Sequence, residues 1–329
     1  MKLQLSIALS PNPRTRPILD GTVTAEGIDL IPSALNPSDM FWRQLRFADF
    51  DVSELSLSSF MIAKSKGDER WVGLPVFTTR HFFHTWILVR RDAGIETPSD
   101  MKGKRVGVPD YQQTAALWSR GILADEWGVA PTDMEFWMER VPSLSHGGAT
   151  GFKPPPGVTV RQIPPQQNIG AMMLSGELDA TLLYLDPNLL DRSTADLRNH
   201  PDIRPLFPDP FVEGARYYRK TGIFPMNHGM VIRKEIVDRH PWVALNLYKA
   251  LERANEIANA QRVEHVEYHL SSGLLAPEAA QALRTPLMPY GIKANRKVLE
   301  TAARYSCHQG LTPRSMALEE LFAASTMDL

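Results

Sequence analysis

Cysteine is nearly absent. Cys307 is the only one in 329 residues, so an intrachain disulfide and a cysteine-built zinc site are both excluded. Charge of one sign is also lacking. Lys plus Arg number 36 against 37 Asp plus Glu, for a net charge of −1. Nothing global therefore recruits nucleic acid or an anionic membrane, and any anion site must be built locally. No apolar run is long enough to span a bilayer. The stretch Leu3, Leu5, Ile7, Leu9 alternates with polar residues, which reads as a first strand instead of a signal peptide. The expected location is cytoplasmic. No internal repeat or low-complexity tract is visible, and the length suits two lobes.

The chain is organised around Thr78 to Arg91. Trp86 to Val89 is a continuous apolar run of β-formers and reads as a buried strand. Arg80, His81 and His84 lead into it. A guanidinium forks onto carboxylates, and an imidazole is the usual proton donor or acceptor near neutral pH. An extended backbone here puts Arg80, Phe82 and His84 on one face and His81 and Phe83 on the other. The blander reading is a strand entry whose histidines are satisfied by backbone groups.

In order, the chain predicts strands at 3–9, 27–31 and 50–55, and a helix from Pro37 to Arg46 with Ser38 as cap. Arg14 and Arg16 leave the end of the first strand in a proline-rich loop, where ligands of open α/β sheets sit. Ser56 and Ser58 lie in a hydroxyl-rich turn that opens a helix. Exposed amides at such a start bind anions, although hydroxyls there are more often caps. A second turn of this kind follows the strand Arg105 to Val108. It carries Tyr111, Gln112 and Thr114, with Thr114 as N-cap of a helix to Trp127. Further strands are expected at 134–138, 158–160 and 178–185. Val141 to Gly157 reads as a loop, and 191–225 as an exposed crossing segment. Asn227 and His228 open the strand to Arg233. Helices follow at 241–261, 263–270, 277–283, 297–305 and 313–322. Strands alternating with helices and then helices alone indicate an α/β protein.

The strand Ile87 to Arg91, the segment Asp100 to Val108, Gly176 to Ala180, Met230 to Lys234 and His240-Pro241 together resemble the type II periplasmic-binding-protein fold. That resemblance implies a two-lobed chain, each lobe a mixed sheet flanked by helices, with the ligand cleft between lobes. Lobe I would take 1–86 and about 205–329, and lobe II 87 to about 204. More narrowly, Arg14 to Gly21, Pro75 to His84, Thr114 to Leu123 and Gly222 to His228 resemble the 4,5-dihydroxyphthalate decarboxylase family, enzymes on that scaffold.

The implied activity is non-oxidative removal of CO2 from a hydroxylated aromatic dicarboxylate, a carboxy-lyase step with protonation of the ring carbon. Carboxylates need cations, which suits Arg14, Arg16, Arg80 or Arg120. The ring proton needs an acid, which suits His84, with His228 as its partner or as base to the phenol and His81 nearby. Tyr111, Trp118 or Phe83 would wall the ring, and Ser56, Ser58, Gln112, Thr114 and Asn227 would complete the binding set. No cofactor is required. The one rival is a divalent metal on His81, His84, His228 and Glu54. His265 and His269, four apart, lack the zincin order and read as a solvated helical face. The expected partner is a small aromatic carboxylate, with neither nucleic acid nor membrane, and a homo-oligomer stays open. The alternative is a solute-binding protein that captures such an anion without catalysis.

Overall fold

The structure is a computed structural model that describes residues 2–284 and 288–329. The chain first lays down β1 (Leu3–Leu9), β2 (Ile28–Ala34), β3 (Val52–Ser56) and β4 (Trp71–Arg80). It then builds a second sheet from β5 (Leu88–Arg90), β6 (Arg105–Val108), β7 (Glu135–Met138), β8 (Thr159–Gln162), β9 (Ala180–Thr181) and β10 (Ile203–Pro205). It returns to the first sheet with β11 (Met226–Arg233). The strand orders are β2-β1-β3-β11-β4 and β10-β5-β9-β6-β7-β8. In the first sheet β1 runs parallel to β2 and β3, and β11 runs antiparallel to both its neighbours. Both sheets are mixed.

The helices on the first-sheet side before the crossing are α1 (Arg16–Leu19), α2 (Pro37–Phe47) and α3 (Leu57–Ser65). Those of the second are α4 (Thr114–Trp127), α5 (His146–Ala149) and α6 (Ile169–Ser175). After β10 come α7 (Pro210–Thr221), α8 (Lys234–Arg239), α9 (Trp242–Ser271), α10 (Pro277–Arg284), α11 (Arg296–His308) and α12 (Leu318–Leu321). Among the described residues no helix is long and apolar enough to cross a membrane.

The alternation in β1 works as read: Leu5, Ile7 and Leu9 are buried, and Ala8 fills the opposite face because the strand is interior to its sheet. Several elements differ from expectation. Phe83–Trp86 turns as a 3-10 helix, so β5 shrinks to Leu88–Arg90 and the side-chain alternation expected from Arg80 to His84 is lost. Asn36, not Ser38, caps α2, accepting from the Ser38 amide. Thr114 is the first residue of α4 with Gln113 as N-cap, because the threonine hydroxyl is used across the molecule. The expected loop 141–157 holds α5, and the crossing segment holds β10 and α7, whose start is capped by Asp209. The two helices expected in 241–270 are one, α9, since nothing in Gln261-Arg262-Val263 breaks it. The strand expected at 178–185 is confined to Ala180–Thr181.

α4 crosses between the two sheets' helices. Its Trp118 Nε1 donates to the Met226 carbonyl at 2.8 Å. Gly121 lets the Tyr305 ring of α11 lie directly on the helix, since a Cβ there would come within 2.2 Å of the ring. Ser56 Oγ and Thr114 Oγ1 share a hydrogen bond at 2.9 Å, and the Ser58 amide donates to Thr114 Oγ1 at 3.0 Å. These buried bonds hold the starts of α3 and α4 together, one from each sheet. The free amides expected at α3 are therefore already partly consumed.

Candidate functional site

A cavity of about 280 Å³ lies between the two sheets. The first-sheet side supplies the start of α2, the end of β3, the end of β4 with the following 3-10 turn, and the start of β11. The second supplies the starts of α4 and α5 and the segment Leu183–Asn188. Strand ends and helix starts converge here, the usual place for a ligand in such sheets.

Its core is a buried pair. Glu54 sits on β3 and is fully buried, and His228 on β11 is nearly so. His228 Nδ1 lies 3.1 Å from Glu54 Oε2. Thr78 Oγ1 donates to the same oxygen at 2.6 Å. The Ser10 amide and hydroxyl both donate to Oε1 at 2.7 Å. Burial alone would raise the Glu54 carboxyl. The hydrogen bond and charge of His228, with the Thr78 and Ser10 donors, outweigh it and hold the group below its ordinary value, ionised. A carboxylate accepts, so Nδ1 carries a proton and the other ring nitrogen faces outward. That nitrogen, Nε2, is 2.8 Å from Asn227 Nδ2. Phe41 packs its ring edge-on against His228 at 4.7 Å.

Two further imidazoles line the cavity. His81 stands at its exposed rim beside Trp86 and Phe83, ring centroids 4.8 and 5.6 Å away. Partial desolvation lowers its proton affinity, and the nearby His228 and Arg14 push the same way. His146 is buried, and burial with the adjacent Arg140 pushes it down to about 3, so it is neutral. Arg140 is itself neutralised by Asp191, which takes Nε and Nη2 at 2.7 and 2.6 Å. Three histidines thus meet one cavity in different electrostatic settings, one of them backed by a carboxylate.

Of the residues singled out from sequence, His81, Phe83, His228, Asn227, Ser56 and Thr114 line this cavity, with Glu54 directly behind His228. The others are elsewhere. His84 is fully buried under α7, its Nε2 3.0 Å from Glu213, because the 3-10 turn rotates it away from the cavity. Arg80 is buried and committed to the Phe224 and Pro289 carbonyls and to Asn295. It cannot clamp a carboxylate in the cavity. Arg120 is buried within the packing of α4, its guanidinium 3.8 Å above the Tyr111 ring and its Nε bonded to Gln309. Tyr111 and Trp118 are core residues, and Gln112 and Ser58 bond to Ser59, Thr150 and each other. Arg14 and Arg16 line a separate groove.

The rival metal set is not assembled, since His84 is elsewhere and both Glu54 oxygens are occupied. Among the described residues no three His, Cys, Asp or Glu side chains cluster as metal ligands. His265 and His269 lie exposed on α9. Lining residues that the sequence did not point to include Asn36, Phe41, Gln113, His146 and Asn188. Asn36 and Gln113 carried a signal, since each precedes a helix that directly follows a strand.

The two mixed sheets with a cleft between them place the chain in the type II periplasmic-binding-protein fold. The aliphatic sulphonate binding protein SsuA of Escherichia coli superposes with a TM-score of 0.54 at 15% identity, covering 98% of this chain and 92% of that one. The desulfurization enzyme DszB superposes with a TM-score of 0.51 at 13% identity, covering 99% and 98%. A family model described as ABC transporter, phosphonate, periplasmic substrate-binding protein matches residues 40–150. Sequence goes further than fold. The 4,5-dihydroxyphthalate decarboxylase of Comamonas testosteroni is 32% identical over 330 positions, spanning 99% of this chain and 98% of that protein. The enzyme of the same name from Pseudomonas putida is 36% identical over 218 positions, 66% of this chain and 82% of its own. The chain belongs to the 4,5-dihydroxyphthalate decarboxylase family.

Proposed function

We propose that this protein removes one carboxylate as CO2 from a hydroxylated phthalate of the 4,5-dihydroxy type and puts a proton in its place on the ring. The observation that carries the proposal is the buried Glu54–His228 pair beneath the cavity. The two relatives named for this reaction support it.

In 4,5-dihydroxyphthalate each carboxylate-bearing carbon has a hydroxyl para to it, and the two halves of the molecule are equivalent. Protonating that carbon makes the ring electron-poor, and the para hydroxyl relieves this by losing its proton and becoming a carbonyl. The C–COO⁻ bond then breaks, its electron pair returns to the ring, the carbonyl oxygen regains a proton, and CO2 leaves. The balance is one dicarboxylate plus one proton giving 3,4-dihydroxybenzoate and CO2. No free aryl carbanion forms. His228, hydrogen-bonded through Nδ1 to Glu54, is the group we assign to deliver the ring proton through Nε2, which must first exchange its contact with the Asn227 amide nitrogen for a proton. His81, held towards its neutral form at the rim, takes and returns the hydroxyl proton. A positioned acid contributes about 10²–10⁴-fold. Phe41, Phe83 and Leu183 offer apolar walls to the ring. Ser56, Thr114, Asn227 and Gln113 offer neutral polar groups to its substituents.

The test is CO2 release from a panel of hydroxylated phthalates and benzoates, with and without a chelator. Release from dihydroxyphthalate that survives chelation supports the acid–base scheme. Release abolished by chelation and restored by one divalent metal moves the chemistry to that metal. Tight binding without CO2 overturns the proposal.

A further inference from the structure

The two ring nitrogens of His228 face groups whose hydrogen-bond roles are fixed. Glu54 Oε2, 3.1 Å from Nδ1, belongs to an ionised carboxylate and can only accept. Asn227 Nδ2, 2.8 Å from Nε2, can only donate. Nδ1 therefore carries a proton and Nε2 carries none, so these contacts hold His228 as a neutral imidazole. The ring has few charged neighbours. Glu54 lies behind it on β3, and His81 and His146 share the cavity wall. Phe41 of α2, Thr79 of β4 and Ser56 of β3 also adjoin it and are uncharged. Arg14 and Arg140 lie outside the lining; Arg14 donates to the Thr78 carbonyl and Arg140 is paired with Asp191. Among the described residues the lining holds no lysine or arginine, and its one carboxylate is the exposed Asp186. A carboxylate entering this cavity meets no permanent cation, although a desolvated anion needs a partner.

We propose that Asn227 gates the protonation of His228: a ligand carboxylate draws the Asn227 NH2 off Nε2, Nε2 takes one proton from solvent, and both N–H groups then hold the carboxylate. Among the described residues the contact with Nε2 is the only hydrogen bond of the Asn227 side chain, so its release breaks nothing else. Two donors 2.8 Å apart suit the two oxygens of a single carboxylate. One neutral N–H···N bond is exchanged for two charge-assisted bonds, and Glu54 supplies a second counter-charge to the new imidazolium. No bond of the ligand changes; anion and proton enter together. The inference rests on the proposed decarboxylation only for its consequence, that the proton the reaction consumes is loaded as the substrate arrives. The loading itself is a binding event.

Phthalate, which has both carboxylates and lacks the activating hydroxyls, is the probe. Calorimetric titration at about pH 7.5, above the ordinary imidazole value near 6.5, in buffers of different ionisation enthalpy counts the protons taken up. The expected result is close to one proton per phthalate in the wild type and in His81→Gln. Long-range proton–nitrogen NMR of the labelled protein reads the same event directly: Nε2 of His228 is bare without phthalate and protonated with it. In Asn227→Asp the new carboxylate accepts from Nε2, so Nε2 should be protonated before any ligand is added. Four results overturn the proposal: a wild-type Nε2 protonated without ligand, phthalate binding without proton uptake, no binding at millimolar phthalate, or an Nε2 still bare in Asn227→Asp. Uptake lost in His81→Gln also overturns it, because the proton then goes to His81. CO2 release enters none of these readouts. A protein that takes up phthalate with a proton but never decarboxylates refutes the proposed function and leaves this inference standing.

Discussion

Replacing Glu54 with Gln is the most informative single change. The carboxylate is fully buried and 3.1 Å from His228 Nδ1. At that range the attraction between carboxylate and imidazolium is about 5 kcal/mol at an effective dielectric constant of about 20. A neutral amide keeps part of it as a hydrogen bond, so about 2–4 kcal/mol is lost whenever His228 is charged. The local bonds also decide how the amide sits. Ser10 presents a backbone N–H to Oε1, a donor that cannot turn into an acceptor. The glutamine must therefore keep its oxygen there and place its NH2 at the other position, facing Thr78 and His228. Thr78 can rotate its hydroxyl, but His228 must give up the Nδ1 proton to accept, which moves its proton to Nε2. The variant loses its counter-charge and inverts the tautomer at once. At 1.36 kcal/mol per factor of ten, kcat should fall about 30- to 1,000-fold. Steady-state CO2 release measures this. A Glu54→Gln protein that folds normally and keeps kcat within about threefold would refute the dyad.

Other changes separate the roles of the remaining residues. His228→Asn should lower kcat by about 10²–10⁴-fold and His81→Gln by less, with the acid limb of the profile reduced in the second; single-turnover CO2 release reads both. His84→Gln should leave kcat within about threefold, since His84 does not reach the cavity, but cost about 1–3 kcal/mol in urea unfolding by breaking its bond to Glu213. Burial pushes the Glu213 carboxyl up, but its bonds from Arg216 and His84 prevail and bring it down to about 2. A depressed carboxyl contributes stability that is complete above its ordinary value near 4.5 and is lost as pH falls through the folded value. The stability gap between wild type and Glu213→Gln should accordingly be full at neutral pH and close between about pH 4.5 and 2, as measured by urea unfolding across that range. Thr114→Val removes the acceptor of the Ser58 amide and should cost about 1–3 kcal/mol, because a buried N–H is left unpaired.

Local pattern carried much of the fold. The alternation of β1, the polar pair opening β11 and the glycine ending α6 at Gly176 are all decided within a few residues. The site was legible where chemistry and position coincide, as at Asn227-His228. It was not legible where a long-range contact decides the outcome. Arg80 looks like a carboxylate clamp until Asn295, 215 residues away, takes its guanidinium. Arg120 is similarly spoken for by Gln309, 189 residues on. His84 was misplaced by a single local event, the 3-10 turn at Phe83–Trp86, which no periodicity in that aromatic stretch announces. Glu54 entered the sequence reading only as a possible metal ligand; its pairing with His228, 174 residues away, is another long-range contact that local pattern does not show.

The same fold serves binding proteins and enzymes, so the fold alone does not choose between capture and catalysis. The choice turns on Glu54. A cleft built only to hold an anion gains nothing from a buried negative charge directly behind it, since the carboxylate repels the ligand and its desolvation costs several kcal/mol. Here Ser10, Thr78 and His228 all spend donors on keeping that charge ionised. The arrangement is useful when the group in front of it must hold a proton and then give it up. The two roles therefore respond in opposite directions to Glu54→Gln. A pure binder should hold an aromatic carboxylate more tightly without the buried charge, whereas a decarboxylase should lose turnover. Measuring substrate affinity and CO2 release on the one variant separates them.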